Sequence, residues 1–528
     1  MHLLTSILAL FPLLTTVTYS QQCRPAIQTD FKPQLFIMSD ISNEPDDTMS
    51  FIRLLVHADM YNITGLVAVT SIWLNDSTYP DQIMDTVRAY GKVVDNLNTH
   101  SAGEFPTEEY LAGLVKSGPK TYGTLGISGN ELSTGSEHLI NVVDGMPDDG
   151  VLYCTAWGGI NMLAETLSYI SRTRPQLEIE RFTSKLRIYS ISDQDNAGPW
   201  IRATFPQIPY VVSLHGWNQY GISTWSGVSG DLLYEPANGG PDTSLVNQEY
   251  ISAHFQLGPL GSHYPDIAYI MEGDSPSFMG KMMNGLNGEP YGHVEWGGWG
   301  GRYLPQDVSG QNRLYNDARD NVTGVDGEWH VSNQATIWRW RRAYQEEMAA
   351  RIKWTINSNY GNGSHPPVVN LNGSCDSSPV HFSMRPGQEV MLDASGSYDP
   401  DANLSSTSNS TARNPLQFIW FQYKEPSDEP HQTSASSVPE LNITLSANNR
   451  TATMRIPGAE EVCYELTALE ARLKGGSGVA CMPLHVLVEV TGSGSPPIRR
   501  WKRAVLEVQV PEGGLPDDGG ERRKRDEL

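Results

Sequence analysis

Cysteine is scarce: the chain has five among 528 residues. No two stand as Cys-x-x-Cys, so the spacing of a structural zinc site is missing. Basic residues are also few. The 37 Lys and Arg face 60 Asp and Glu, for a net charge of −23. A chain this acidic repels a polyanion, which argues against a nucleic-acid partner and leaves cations and neutral polar ligands open. After the first twenty residues no apolar run reaches the ~20 residues of a membrane span. Hydrophobic content of 39% with 18% charged residues excludes wholesale disorder and suits a globular chain long enough for two or more domains.

Residues 1 to 20 have the pattern of a secretory signal, with an apolar core from Ile7 to Leu14 and small residues Thr18 and Ser20 ahead of Gln21. Nine Asn-x-Ser/Thr sequons agree with export: Asn62, Asn75, Asn321, Asn362, Asn372, Asn403, Asn409, Asn442 and Asn449. Cys154 lies in an apolar run and reads as a buried free thiol. Cys463 and Cys481 could bridge two strands, while Cys23 and Cys375 have no partner readable from sequence. The chain ends Arg525-Asp526-Glu527-Leu528, similar to a KDEL-type retrieval signal. Two locations stay open, extracellular or the lumen of the endoplasmic reticulum.

Strand and helix patterns alternate from residue 34 to about 215. Strands are expected at Leu35–Ser39, Gly65–Ser71, Val151–Ala156, Leu186–Ile191 and Tyr210–Ser213. Helices are expected at Asp47–Ala58, Asp81–Leu97, Ser136–Val143, Ile160–Ser171 and Pro199–Phe205. Alternation with continuously apolar strands implies an α/β fold, an open and mostly parallel sheet covered on both faces. A long helix, Ala335 to Asn357, is expected to close this domain, and residues 358 to 367 read as a linker. Beyond them the period falls to two, the pattern of an all-β, immunoglobulin-like sandwich. The expected divisions are a signal at 1–20, an α/β domain at 21–360, a sandwich at 361–510 and a polar tail at 511–528.

The densest chemistry lies between the first strand and the first helix, in Asp40-Ile41-Ser42-Asn43-Glu44-Pro45-Asp46-Asp47. Carboxylates crowded this closely repel one another unless a cation or a shared proton relieves them. Helix capping explains one or two of them but not Asp40 and Glu44 as well. Hard oxygen ligands favour Ca²⁺ or Mg²⁺. Two more polar turns follow strands of the same sheet, Trp157-Gly158-Gly159 and Ser192-Asp193-Gln194-Asp195-Asn196, and Asp274 lies in a later motif. In an open α/β sheet such turns share the edge where ligands bind. Asp193, Asp195 and Asn196 could accept sugar hydroxyls or cap helices. Trp296 and Trp299, in Trp-Gly-Gly-Trp-Gly-Gly-Arg-Tyr, could stack on sugars or pack a glycine-rich loop.

Together these motifs resemble the inosine-uridine nucleoside hydrolases. They are closer still to a secreted family of nucleoside-hydrolase-like proteins, often labelled cellulose-binding, that carries a C-terminal β-sandwich. The shared stretches are DIxNEPDD, AWGG, ISDQD, EGDxPSF and WGGWGGRY, and the likeness spans about residues 33 to 510. It implies a calcium ion held by Asp47, Asp274 and the Trp157 carbonyl, with Asp40 as ligand or support. It implies Asp46 as the base that takes a proton from the attacking water. Asp193, Asp195 and Asn196 would lie near the sugar, and Asn43, Glu44, Glu272 and Trp299 are further candidates for substrate contact. Two positions depart from the hydrolases. Ser42 stands where they have a second aspartate, and Gly273 where many have the histidine that protonates the leaving base, with Glu272 and His215 as possible substitutes.

Two functions follow. One is a metal-dependent hydrolase of N- or O-glycosidic bonds, with a small glycoside or a polysaccharide as substrate. The other is a carbohydrate-binding protein that kept the pocket without turnover. In either, a homo-oligomer is possible. An exposed aromatic row on the sandwich, for which Trp420, Phe421 and Tyr423 are candidates, would favour binding, whereas alternation of Phe418 and Trp420 is also the ordinary pattern of a sandwich core.

Overall fold

The structure, a computed structural model, describes residues 23, 31–101, 104–129, 131–215, 217–229, 240–286, 288, 292–306, 313–402, 415–427, 437–466, 471–472 and 478–511. The expected signal segment, the sequons Asn403 and Asn409, and the C-terminal Arg525 to Leu528 lie outside the described residues.

Eight strands form the main sheet. They are β1 (Gln34–Ser39), β2 (Asn62–Ala68), β3 (Val115–Ser117), β4 (Leu152–Ala156), β5 (Leu186–Ser192), β6 (Tyr210–Ser213), β7 (Tyr303–Pro305) and β8 (Leu314–Asp317). Their order is β3-β2-β1-β4-β5-β6-β8-β7. All neighbours run parallel except β7, which pairs antiparallel with β8. The chain winds outward in one direction from β1 and in the other from β4, so the switch point lies between them. At such a point the loops leaving two adjacent strands part to opposite faces and open a crevice.

Strand β1 shows why the sheet needs two layers of cover. Leu35 and Ile37 belong to the core on one face, with α1 (Asp46–Val56) and α2 (Pro80–Gly91). Phe36 and Met38 belong to the core on the other, with Leu139 and Leu163 from helices Thr134–Gly145 and Asn161–Thr173. All four side chains are fully buried, each contributing about 1.5–3 kcal/mol by transfer from water.

Two expected helices are divided. The pattern over Asp81–Leu97 becomes α2, which ends at Gly91, and a separate helix Val94–Ser101. The pattern over Ala335–Asn357 becomes Ala335–Trp338 and Arg341–Thr355. The interruption at Trp340 lets its ring meet Tyr423 and Trp501, centroids 5.9 and 6.0 Å away. The expected linker is no loose tether, since residues 363 to 369 are buried.

The C-terminal region is built on a four-stranded sheet in the order β9-β15-β14-β11 (Val380–Met384, Arg499–Val508, Pro483–Thr491 and Gln417–Tyr423), faced by the three-stranded β10-β13-β12 (Glu389–Asp393, Thr451–Arg455 and Thr444–Leu445). One face of the larger sheet, with Phe418, Trp420, Val486, Val488 and Leu506, fills the sandwich core. The opposite face, with Tyr423, Leu487 and Trp501, belongs to the core of the α/β domain. This sheet is therefore buried on both sides, and Phe418 and Trp420 are core residues. Among the described residues the sandwich exposes no large aromatic side chain.

The aromatic glycine-rich motif serves this contact. Trp299 is fully buried, 5.8 Å from Trp501 between ring centroids, and Trp296 lies 4.9 Å from the ring of His485. Gly297 has φ +72° and faces the Tyr423 hydroxyl, where a Cβ would come within 2.4 Å. Arg302 donates to Asp320 at 2.8 Å, and the same carboxylate accepts from Tyr423 at 2.7 Å. Disulfides join Cys463 to Cys481 and Cys23 to Cys375, and Cys154 is free and buried.

Candidate functional site

Strand β1 delivers its chain to the switch point through a hydroxyl-pinned turn. Ser39 Oγ accepts from the Ile41 amide at 3.0 Å and itself donates to Asp47. The Asn43 amide donates to the Asp40 carbonyl at 3.3 Å. Ser42 adopts φ +95°, a left-handed geometry disfavoured for a residue with a Cβ. That twist leaves Ser42 exposed, its Oγ accepting from Gln82 Nε2 at 2.9 Å. The position where the hydrolases have a second aspartate thus faces α2, away from the acidic cluster.

Helix α1 then opens with Asp46 and Asp47 in its first turn, where the helix dipole favours negative charge. Asp274 joins them from the segment ahead of the helical turn Pro276–Met279. One oxygen from each of these carboxylates can lie within 4.8 Å of the others, and all three residues are buried. Asp46 accepts from the Gly273 amide at 3.2 Å, while Asp274 Oδ2 is buried with no hydrogen-bond partner. Asp40 lies alongside, pressed against Gly158, where a Cβ would come within 2.6 Å of its carboxylate.

Burial first, then mutual repulsion, makes these groups hard to ionise together. Burial, opposed by a hydrogen bond from Ser71, leaves Asp40 at about 6. Burial with the charges of Glu44 and Asp40 pushes Asp46 up to about 8. Asp47 and Asp274 are raised well above the ordinary carboxylate range for the same reasons. Glu44 is half-buried on the loop, its carboxyl raised by burial, and adds negative charge to the group. All-oxygen donors, excess negative charge and an orphaned carboxylate oxygen fit a hard divalent cation such as Ca²⁺.

Trp157 leaves β4 at the same edge. Its ring is buried against Phe51 at 4.7 Å, and its Nε1 donates to Ser277 at 2.7 Å. Its carbonyl accepts from Gln194 Nε2 at 2.9 Å, which leaves the second lone pair for another partner. Gln194, the middle residue of the turn after β5, was passed over in the sequence in favour of its acidic neighbours. Period two along the strand, continued through Ser192, was the available signal that it faces inward.

Those neighbours have other work. Asp193 forms a two-point ion pair with Arg202 at 2.8 and 2.7 Å. Asp195 accepts from the amides of Ile160 and Ala197 at 2.9 and 2.8 Å, tying two strand-to-helix turns together. Asn196 accepts from the Thr124 amide at 2.9 Å. Each of the three expected sugar contacts thus has a protein partner. Glu272 is fully buried, ion-paired to Arg53, and accepts from Ser275 at 2.8 Å. Trp299 is fully buried and packs against Trp501 of the sandwich.

Gly273 occupies the position of the hydrolases' proton-donating histidine, and there is no room for such a side chain. A Cβ would stand 2.9 Å from Asp46 Oδ2 and 2.9 Å from Trp225 Cζ3. The Trp225 ring, which nothing in the sequence flagged, fills that space. Its indole nitrogen is buried without a partner. The other expected substitute, His215, follows β6 at the same sheet edge and bonds Asp317 at 2.8 Å. That bond raises its pKa above the ordinary histidine value.

Two family models match the chain. Residues 34–303 match the model described as cellulose-binding Sde182, nucleoside hydrolase-like domain. Residues 389–508 match that of cellulose-binding protein Sde0182, C-terminal domain. A solved structure of a nucleoside hydrolase-related hypothetical protein from Saccharophagus degradans, described as associated with carbohydrate metabolism, is 27% identical. It superposes with a TM-score of 0.68 over 91% of this chain and 100% of its own. The effector protein XOO4466 aligns at a TM-score of 0.30 and 10% identity over 63% of this chain and 96% of its own, too distant to inform the reading. No curated protein matches.

Proposed function

The chain belongs to the Sde182 nucleoside hydrolase-like family, and from that premise we propose a metal-dependent hydrolase of N- or O-glycosidic bonds acting on a carbohydrate. The observation that carries this reading is the convergence of Asp46, Asp47 and Asp274 on one buried point at the switch of the sheet. Asp47 and Asp274 are the proposed Ca²⁺ ligands, joined by the Trp157 carbonyl, with Asp40 as ligand or support. A bound dication supplies a water of lowered pKa and a template for sugar hydroxyls.

Asp46 is the proposed general base. Its carboxylate is held in place by the Gly273 amide and sits beside the two ligands, where it can take a proton from the attacking water. Gln194 fixes the orientation of the Trp157 carbonyl. Glu44 and Asn43, at the rim of the loop, are the residues left to meet substrate. Trp225 gives the leaving group an aromatic wall in place of an acid. Loss of a proton donor costs roughly 10²–10⁴ in rate where the leaving group needs protonation, so substrates with a good leaving group are favoured. The apolar leader pattern and the sequons support a site of action in the secretory pathway or outside the cell.

The test is calorimetric titration with Ca²⁺ followed by a panel of ribosides and aryl glycosides. Heat of binding in the wild type that disappears in Asp274→Ala, with turnover that disappears in Asp46→Asn, is the expected result. A wild type that binds no Ca²⁺ removes the metal from the mechanism. Binding of glucan without turnover on any substrate supports the second reading, a carbohydrate-binding protein, which the Trp225-filled position at Gly273 favours.

A further inference from the structure

One face of α1 is fastened to the segment that carries Asp274. Asp46, Ser50 and Arg53 follow one another at intervals of four and three residues, so they share a face of the helix. Residues 272 to 275 lie along that face. The Gly273 amide donates to Asp46 at 3.2 Å, the Ser275 hydroxyl meets that of Ser50 at 3.1 Å, and Glu272 pairs with Arg53. Roughly 10 Å of helix separates Asp46 from Arg53, so the guanidinium meets Glu272 well away from the carboxylate cluster.

That ion pair is sealed from water, both side chains being fully buried. Arg53 donates to Glu272 through Nε and, at 3.1 Å, through a terminal nitrogen. A two-point contact of this kind fixes direction as well as distance. Both partners are also held from behind. Arg53 donates to the Tyr344 carbonyl at 3.0 Å and to Gln345 at 2.6 Å. Glu272 accepts from the Tyr264 hydroxyl and from Ser275. Its φ of +54° is left-handed, a backbone geometry that a residue with a Cβ keeps only where its surroundings impose it. Opposite charges within the pair offset each other, so it acts on the cluster through position.

We propose that Arg53 and Glu272 are positioning residues for the divalent cation, an inference that rests on the metal reading given above. Asp46 and Asp47 ride on α1, whereas Asp274 comes from the other segment. Asp274 Oδ2 is buried without a hydrogen-bond partner, so that oxygen is placed by the backbone that carries it. The gap between the two sides is therefore set by what clamps the segment to the helix. Ca²⁺ takes its oxygens at roughly 2.3–2.6 Å, and a drift of about 1 Å in Asp274 removes a ligand. Residues that orient metal ligands contribute about 10–100-fold in affinity.

The test is titration of the full chain with Ca²⁺ and with Tb³⁺, a luminescent ion that takes the same oxygen ligands and whose lifetimes in H₂O and D₂O count its bound waters. Arg53→Lys keeps the charge and loses the fork. The double variant Arg53→Met/Glu272→Gln removes both charges and strands neither, so it reads the site without an unpaired buried ion. In both, affinity for either ion should fall about 10–100-fold, with about one more water on Tb³⁺, at temperatures where circular dichroism shows the fold intact. A lowered melting temperature with unchanged Kd and unchanged lifetime overturns the proposal and leaves the metal reading standing. A wild type that binds neither ion overturns both.

Discussion

Replacing Glu347 by glutamine tests whether the sandwich and the α/β domain are held by one buried charge. Glu347 is buried on the helix Arg341–Thr355. It accepts two hydrogen bonds from Arg500 of β15, at 2.6 and 3.0 Å, and one from Arg351 at 2.9 Å. Arg351 also reaches Asp59 at 2.7 Å. Burial raises the Glu347 pKa, but Arg500 and Arg351 overcome it and hold it at about 2 against an ordinary 4.5. At about 1.4 kcal/mol per unit, that depression corresponds to about 3 kcal/mol of stability at neutral pH. Breaking a buried pair by removing one partner costs a similar 3–5 kcal/mol.

The sign is fixed by the direction of the shift. A depressed folded-state pKa contributes fully above about 4.5 and loses its contribution as pH falls toward about 2. Urea denaturation of wild type and Glu347→Gln should therefore differ by about 3 kcal/mol at pH 7 and by only about 1 kcal/mol at pH 3. A difference under about 1 kcal/mol at pH 7, or one that does not shrink in acid, refutes the assignment of this charge as a domain tie.

Gly273→His should destabilise by roughly 1–3 kcal/mol through overpacking, and Trp225→Ala in the same chain should recover part of that loss. Thermal melts of the two singles and the double would read the coupling, and additive effects would mean that Trp225 does not hold the space. Trp299→Ala should cost about 3–5 kcal/mol yet leave saccharide affinity unchanged at temperatures where the protein is folded. A loss of affinity there would return Trp299 to the binding site.

The parts of the fold visible in the sequence are those set by local pattern. The β1 run Leu35 to Met38 is apolar at every position because both faces are covered, and that marks a central parallel strand without further help. The acidic loop was legible because packing alone gives no reason to crowd carboxylates. Roles fixed by distant partners were not legible. The partners of Asp193, Asp195 and Glu272, which are Arg202, the Ile160 amide and Arg53, leave no sign in the local pattern. Trp225 and Gly273 are 48 residues apart, and their shared volume leaves no local trace. The glycine-rich motif misled for a related reason. Its glycines suggest access for a ligand, whereas the group that approaches is the Tyr423 side chain of the sandwich.

The sheet covered on both faces bears on how a cellulose-binding label is to be checked. A carbohydrate-binding module is ordinarily tested by cutting it out and mixing it with polymer. Cut out here, the C-terminal region would present Tyr423, Leu487 and Trp501, now in the α/β core, as bare wall. Such a fragment would adhere to cellulose, to plastic and to itself with little discrimination. Retention on a polymer earns meaning only when the polypeptide is whole and that wall is closed.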